Sequence, residues 1–289
     1  MYKAPIFSLL LWVCCGIALG QDADSTTFAD SQWTVSGVAR KVRLLTHHFN
    51  SGNLFGANQN ISYLEIKNKG KKPVFEIGFE PVVLKPTSVY GTASGALAAI
   101  NGTFFDIKNG GSVDFIKAKG TVINENRLEK NGQRAAHQQA AIVINKGKLS
   151  IKKWDGSASW EQNLEGQDVM VTGPLLQINQ VNEKLDSSSF NITRHPRTAI
   201  GIKPGGKIIL LTVDGRNANS AGMSIFELSK IMRWLGCTSS INLDGGGSTA
   251  LWVQHYPENG IINYPTDNKL WDHAGERKVA NVILLKKKP

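Results

Sequence analysis

The stretch Ala199-Ile200-Gly201-Ile202-Lys203-Pro204-Gly205-Gly206-Lys207-Ile208-Ile209-Leu210-Leu211-Thr212-Val213 decides the fold. Two apolar runs, 199–202 and 207–213, are parted by Pro-Gly-Gly. Proline stops a strand and glycine tolerates the positive φ of a tight turn, so the segment reads as an antiparallel hairpin. Working outward, residues 38–46, 61–66, 74–79, 113–122, 140–145 and 149–154 show β-branched or alternating patterns, and Asn145-Lys146-Gly147-Lys148 marks a second hairpin turn. Residues 21–31 form a polar segment without strand pattern.

Two helices are expected. One runs from Thr87 to about Gly95. The other spans 224–235, where Ser224 and Glu227 form a capping box, Ile225, Leu228, Met232 and Leu235 make one apolar face, and Gly236 ends the helix. The expectation is an α+β fold: a strand-rich mixed, largely antiparallel sheet with few packed helices.

The chain has 289 residues and 31.5 kDa, is 41% hydrophobic and 19% charged, and has a mean hydropathy of −0.18. That composition belongs to a folded globular protein and excludes a disordered or collagen-like one. Lys3, the apolar run of 14 residues at 6–19, and Ala18-Leu19-Gly20 before Gln21 read as a signal peptide, residues 1–20. The run is shorter than the roughly 17–25 residues of a membrane helix, so no transmembrane segment is expected in the mature chain. The protein is read as exported, periplasmic or secreted. Lipid anchoring at Cys14 or Cys15 is the lesser alternative, because bulky Trp12 and Val13 precede them.

After cleavage one cysteine of three remains, Cys237, which excludes a disulfide scaffold and reads as a buried thiol. The formal charge of +10 falls to +9 with loss of Lys3 and favours an anionic partner. No zinc finger, helix-turn-helix or aromatic RNA-binding signature is present, so no nucleic acid is expected.

Four motifs carry chemistry. In Asn242-Leu243-Asp244-Gly245-Gly246-Gly247-Ser248-Thr249 a strand ends at a carboxylate, and three glycines permit close approach of an anion or sugar. Asn101-Gly102-Thr103-Phe104-Phe105-Asp106 supplies an amide and a carboxylate at a turn. Arg197 opens a strand and suits bidentate phosphate recognition. Val213-Asp214-Gly215-Arg216 sets a carboxylate and a guanidinium after an apolar strand. Oxygen ligands around Asp244 leave calcium or magnesium open; no other cofactor is expected. His137, before a strand, is open as an acid or base or as a surface histidine.

Together these motifs resemble the phosphodiester glycosidase, or uncovering-enzyme, family. The resemblance runs from about Ala96 to Ile283 and extends through Asn263-Tyr264-Pro265-Thr266-Asp267 and Glu276-Arg277-Lys278-Val279. It implies a phosphodiester glycosidase domain over 96–289, with 21–95 as an N-terminal strand region of the same fold. It also implies hydrolysis of a sugar-1-phosphodiester, an N-acetylglucosamine-like sugar being freed from a phosphorylated glycan partner.

In that reading Asp244, Asp214 and Asp106 are the catalytic candidates. Arg197 and Arg216, with the amides of Gly245, Gly246 and Gly247, clamp the phosphate. Asn101, Ser248 and Thr249 complete the binding set. Tyr264 and Trp271, with Trp252 and Tyr256, are candidates for stacking on a sugar ring, Trp252 equally for the core. Two other uses of the same loops stay open: a non-catalytic binder of anionic glycans, and a glycosidase acting on a non-phosphorylated glycan.

Overall fold

The computed structural model describes residues 22–68 and 73–287. The expected signal peptide, with Cys14 and Cys15, lies outside the described residues. The hairpin of Arg197–Lys203 and Lys207–Val213 forms in full register, from Arg197 opposite Val213 to Lys203 opposite Lys207. It sits near the middle of an eight-stranded sheet. In spatial order that sheet comprises Thr34–Ala39, Val42–Leu54, Ala57–Lys67, Lys207–Val213, Arg197–Lys203, Ser239–Asn242, Leu175–Ile178 and Val181–Asn182. Among the described residues every strand pairing is antiparallel.

The apolar runs are continuous rather than alternating because both faces of this sheet are covered. Side chains alternate between faces along a strand. Ile208 and Leu210 therefore join Leu64, Ile200 and Ile241 in a core shared with the other two sheets. Ile209, Leu211 and Val213 join Tyr63 and Ala199 beneath the helix Ile225–Trp234. A five-stranded sheet includes Ile116–Ala118, Ala140–Asn145 and Asp168–Thr172; a four-stranded one includes Val74–Phe79, Ala98–Asn101, Leu251–Val253 and Asn281–Lys286.

Helix Ile225–Trp234 carries both halves of the capping box: Glu227 N–H donates to Ser224 Oγ (3.1 Å), and Ser224 N–H donates to the Glu227 carboxylate (2.8 Å). It ends in a Schellman motif, with Gly236 at φ 79° and Cys237 N–H donating to the Met232 carbonyl. The short helix Thr87–Ala93 contains Gly91 because a Cβ there would lie 2.2 Å from the Trp252 ring. Its first turn is capped from afar: Ser88 N–H donates to Glu276 at 3.0 Å.

Two features differ from the sequence expectation. The polar segment at 21–31 contains the helix Ala23–Asp30, seated by Phe28 against Trp33, Phe49 and Trp234. The expected strands 38–46 and 113–122 are each broken by a turn, at Lys41 (φ 71°) and at Lys119-Gly120 (φ 50° and 84°). Cys237 is buried, and burial pushes its thiol up to about 12. No helix among the described residues is long and apolar enough to cross a membrane.

Candidate active site

The strand Ser239–Asn242 delivers Asp244 to a rim where three loops meet. Asp244 N–H donates to the Gly102 carbonyl (3.0 Å), Gly246 N–H to the Pro196 carbonyl (2.8 Å), and Asn101 Nδ2 to the Asp244 carbonyl (2.7 Å). The Asp244 side chain is partly exposed and accepts from Gly245 N–H at 2.9 Å. Burial pushes its carboxyl up to about 6, aided by the nearby charge of Asp114 and opposed by the Ser248 hydroxyl, the Gly245 N–H and Arg277. It is thus poised to change charge near neutral pH.

Each of the three glycines is required by a different neighbour. A Cβ on Gly245 would lie 2.6 Å from the Pro196 carbonyl oxygen, and one on Gly246, itself at φ 60°, 3.0 Å from Arg216 Nη2. One on Gly247 would lie 2.0 Å from Asp267 Oδ1 and 2.4 Å from Arg277 Nη2. Two guanidiniums therefore flank the loop. Arg216 is exposed and reaches His195 Nδ1 at 3.3 Å; Arg277 is held by Asp267 through bonds of 2.9 and 2.7 Å.

Beside them Tyr264 and Trp271 stack on one another at 4.0 Å and 3°. Trp271 lines a hollow of about 290 Å³ shared with Arg216, Asp267 and Lys269. Trp252 is a core residue, its indole N–H donating to the Asn259 carbonyl.

Other candidates occupy different positions from those their motifs suggested. Asp214 is 1% exposed, and its carboxylate accepts from Asn60 Nδ2 (2.8 Å), Asn263 Nδ2 (3.0 Å) and Tyr264 N–H (2.8 Å). It braces three segments beneath the rim. Burial raises its pKa while those donors oppose. Asp106 closes its own loop, accepting from Lys108 and Asn109 and pairing with Arg127; the Asn109 donors hold it well below the usual carboxylate range.

Arg197 is 1% exposed and donates to the carbonyls of Met223, Phe190 and Thr193. It anchors the loop rather than reaching the open cleft. Burial, with repulsion from Arg216, pushes it down to about 10. Asn101 is fully buried, donating to the Asp244 carbonyl and accepting from Thr198 Oγ1 and Ala250 N–H, so it ties loops together. Ser248 and Thr249 are buried too, and Gly245 and Gly246 turn their N–H groups into the protein.

Arg277, given no role in the motif reading, is brought beside the loop from the closing Glu276-Arg277-Lys278-Val279 run, where no local pattern foretells that contact. Among the described residues no group of three or more His, Cys, Asp or Glu side chains is arranged to hold a metal ion.

Fold and rim together define an antiparallel α+β protein with an acidic glycine loop set between two arginines. The chain belongs to the phosphodiester glycosidase family, which residues 94–286 match. It is 26% identical to mouse N-acetylglucosamine-1-phosphodiester alpha-N-acetylglucosaminidase over 203 residues, covering 66% of this chain and 37% of that enzyme. It is 33% identical over 88 residues to the SPbeta prophage-derived protein YomE of Bacillus subtilis, covering 26% of this chain and 14% of that protein. The chain thus spans little more than a third of the mouse enzyme's length.

Among solved structures, the catalytic domain of zebrafish N-acetylglucosamine-1-phosphodiester alpha-N-acetylglucosaminidase aligns with a TM-score of 0.64 at 18% identity, over 88% of this chain and 87% of that one. A hypothetical protein from Synechocystis aligns equally well, at 0.64 and 15%, over 89% of this chain and 64% of that one. Both likenesses concern the fold.

Proposed function

We propose that this protein is an exported hydrolase that cleaves the glycosidic bond of a sugar-1-phosphodiester, releasing an N-acetylglucosamine-like sugar and a phosphomonoester. The observation that carries the reading is a carboxyl titrating near 6 on a glycine loop flanked by two guanidiniums, Arg216 and Arg277. A departing phosphate is a good leaving group, so this reaction needs charge stabilisation more than protonation of the leaving oxygen. Arg216 and Arg277 take the phosphate. Ionised Asp244 faces the positive charge that develops at the anomeric carbon, and Asp267 keeps Arg277 in place.

Support also comes from the mouse relative, whose name states that substrate and reaction. A substrate with an anionic linkage also suits the chain's basic balance.

The test is release of free sugar and phosphomonoester from N-acetylglucosamine-1-phospho-methyl mannoside by the wild type and by Asp244→Asn, with and without EDTA. Turnover abolished by the substitution supports the proposal, and loss with EDTA adds a metal. Binding without turnover by the wild type would make the protein an anionic-glycan binder. Hydrolysis of neutral aryl glycosides without phosphodiester cleavage would make it an ordinary glycosidase.

A further inference from the structure

Beside the Phe104 turn lies a cavity of about 410 Å³ whose lining otherwise falls outside the four motifs. Its size falls in the range of about 300–1,000 Å³ usual for small-molecule sites. Phe104, Phe190, His137, Pro174, Ala136 and Asn191 contribute to its lining. Phe104 stands 6.1 Å from Phe190 and 4.5 Å from the His137 ring, giving the cavity aromatic walls.

The cavity is built from the segments that hold Asp244. Phe104 follows Gly102 and Thr103, and Gly102 supplies the carbonyl that accepts from Asp244 N–H. Pro174 follows Gly173, whose carbonyl accepts from Asn242 Nδ2 at 2.9 Å.

Asn191 and His137 contribute polar groups to its lining. Asn191 is 6% exposed and donates through Nδ2 to Asp186, while its Oδ1 has no hydrogen-bond partner among the described residues. That oxygen is shut off from solvent and so lies behind the cavity wall rather than facing the space.

His137 is held through Nε2, 2.9 Å from Asp114 Oδ1. Asp114 is fully buried and further fixed by Thr103 Oγ1 (2.6 Å) and Gln138 Nε2 (2.8 Å). That pairing orients the imidazole and leaves Nδ1 unbonded among the described residues. Among the described residues, the lining also includes the charged side chains of Glu129, Lys184 and Asp186.

We infer that this cavity is the glycosyl subsite: it takes a pyranose with its polar edge on His137 and its apolar face or methyl against Phe104 and Phe190. The inference rests on the phosphodiester glycosidase reading and gives that reaction's two halves to different residues, the sugar to His137, Phe104 and Phe190 and the phosphate to Arg216 and Arg277. Asp114 is a positioning residue acting through His137.

The test uses the whole mature chain. Ala136 is exposed on the cavity wall, so Ala136→Trp fills the space without disturbing the core. Product inhibition by free N-acetylglucosamine and by methyl phosphate is measured for wild type, Ala136→Trp and His137→Gln, alongside KM and kcat for the phosphodiester. Calorimetric binding of the free sugar supplies a readout independent of turnover.

The subsite predicts that Ala136→Trp weakens sugar binding and raises KM by roughly tenfold or more, that His137→Gln weakens both severalfold, and that methyl phosphate inhibition stays unchanged. Sugar binding and KM within about twofold of wild type in both variants would overturn it while leaving phosphodiester turnover intact. Sugar binding that Ala136→Trp abolishes, in a protein that turns over no phosphodiester, would uphold the cavity and remove the proposed reaction instead.

Discussion

At Asp244 the burial that makes the carboxyl titrate in a useful range also makes its charged form costly. The folded-state pKa is raised from 3.8 to about 6, so between those values the native state binds more protons than the unfolded chain. Stability is then full below the unfolded value and falls as pH rises through the folded one. Asp244→Asn should therefore melt higher than wild type at pH 7, by up to about 3 kcal/mol, and equally at pH 4. Melting curves at the two pH values check this, and an equal or lower melting temperature at pH 7 would refute it.

The place of Asp244, on a glycine loop at the end of a strand, was legible in the run Asn242 to Gly247 itself. The burial of Asp214, in an equally suggestive Asp-Gly-Arg, was not. Its partners Asn60 and Asn263 lie 154 and 49 residues away, so nothing local shows that its carboxylate is wholly engaged. The same holds for Arg197, whose carbonyl acceptors exist only once the loop has folded around it.

At the scale of elements, the glycine loop acts as a spacer that lets charged side chains lie against backbone. A Cβ at Gly247 would meet Asp267 and Arg277 at 2.0 and 2.4 Å, so Gly247→Ala must displace that ion pair. The expected result is a loss of roughly 100-fold in phosphodiester turnover, comparable to removing one charge-stabilising donor. Overall melting should change far less, because the pair is about a third exposed. Turnover and melting of the same variant separate the two effects.

Helix Ile225–Trp234 was legible from its cap and its apolar spacing, both contained in one short window. Helix Ala23–Asp30 has an N-cap in Asp22, whose side chain accepts from Asp24 N–H, but no apolar stripe, and it is held by Phe28 docking on Phe49 and Trp234. Tertiary packing rather than propensity makes it.

Across the whole molecule, residues before the family-matched segment are structural partners of the site. Residues 61–67 of the strand Ala57–Lys67 pair with Lys207–Val213, and Asn60, just before them, bonds Asp214 beneath the rim. The N-terminal helix covers the same sheet through Phe28, which is 5% exposed. Phe28→Ala should cost about 3–5 kcal/mol, read as a lower denaturation midpoint in guanidinium chloride; a shift below about 1 kcal/mol would mean that the helix is an ornament on the sheet. Antiparallel strands and hairpins were plain from turn residues and β-branched runs. The order of eight strands in one sheet was not, since pairings such as Ala57–Lys67 with Lys207–Val213 join segments far apart in the chain.

The most direct measurement is the pH dependence of kcat/KM for a sugar-1-phosphodiester, wild type against Asp244→Asn. The diester linkage keeps one negative charge throughout, so a titration in this range belongs to the enzyme. With burial, and after it the charge of Asp114, raising the Asp244 carboxyl against Ser248, Gly245 N–H and Arg277, wild-type kcat/KM should climb about tenfold per pH unit and level off above about 6, with the Asn variant inactive throughout. A rate that instead falls as pH rises through 6, or an Asn variant as fast as wild type, would contradict the assignment of ionised Asp244 as the group that acts on the sugar.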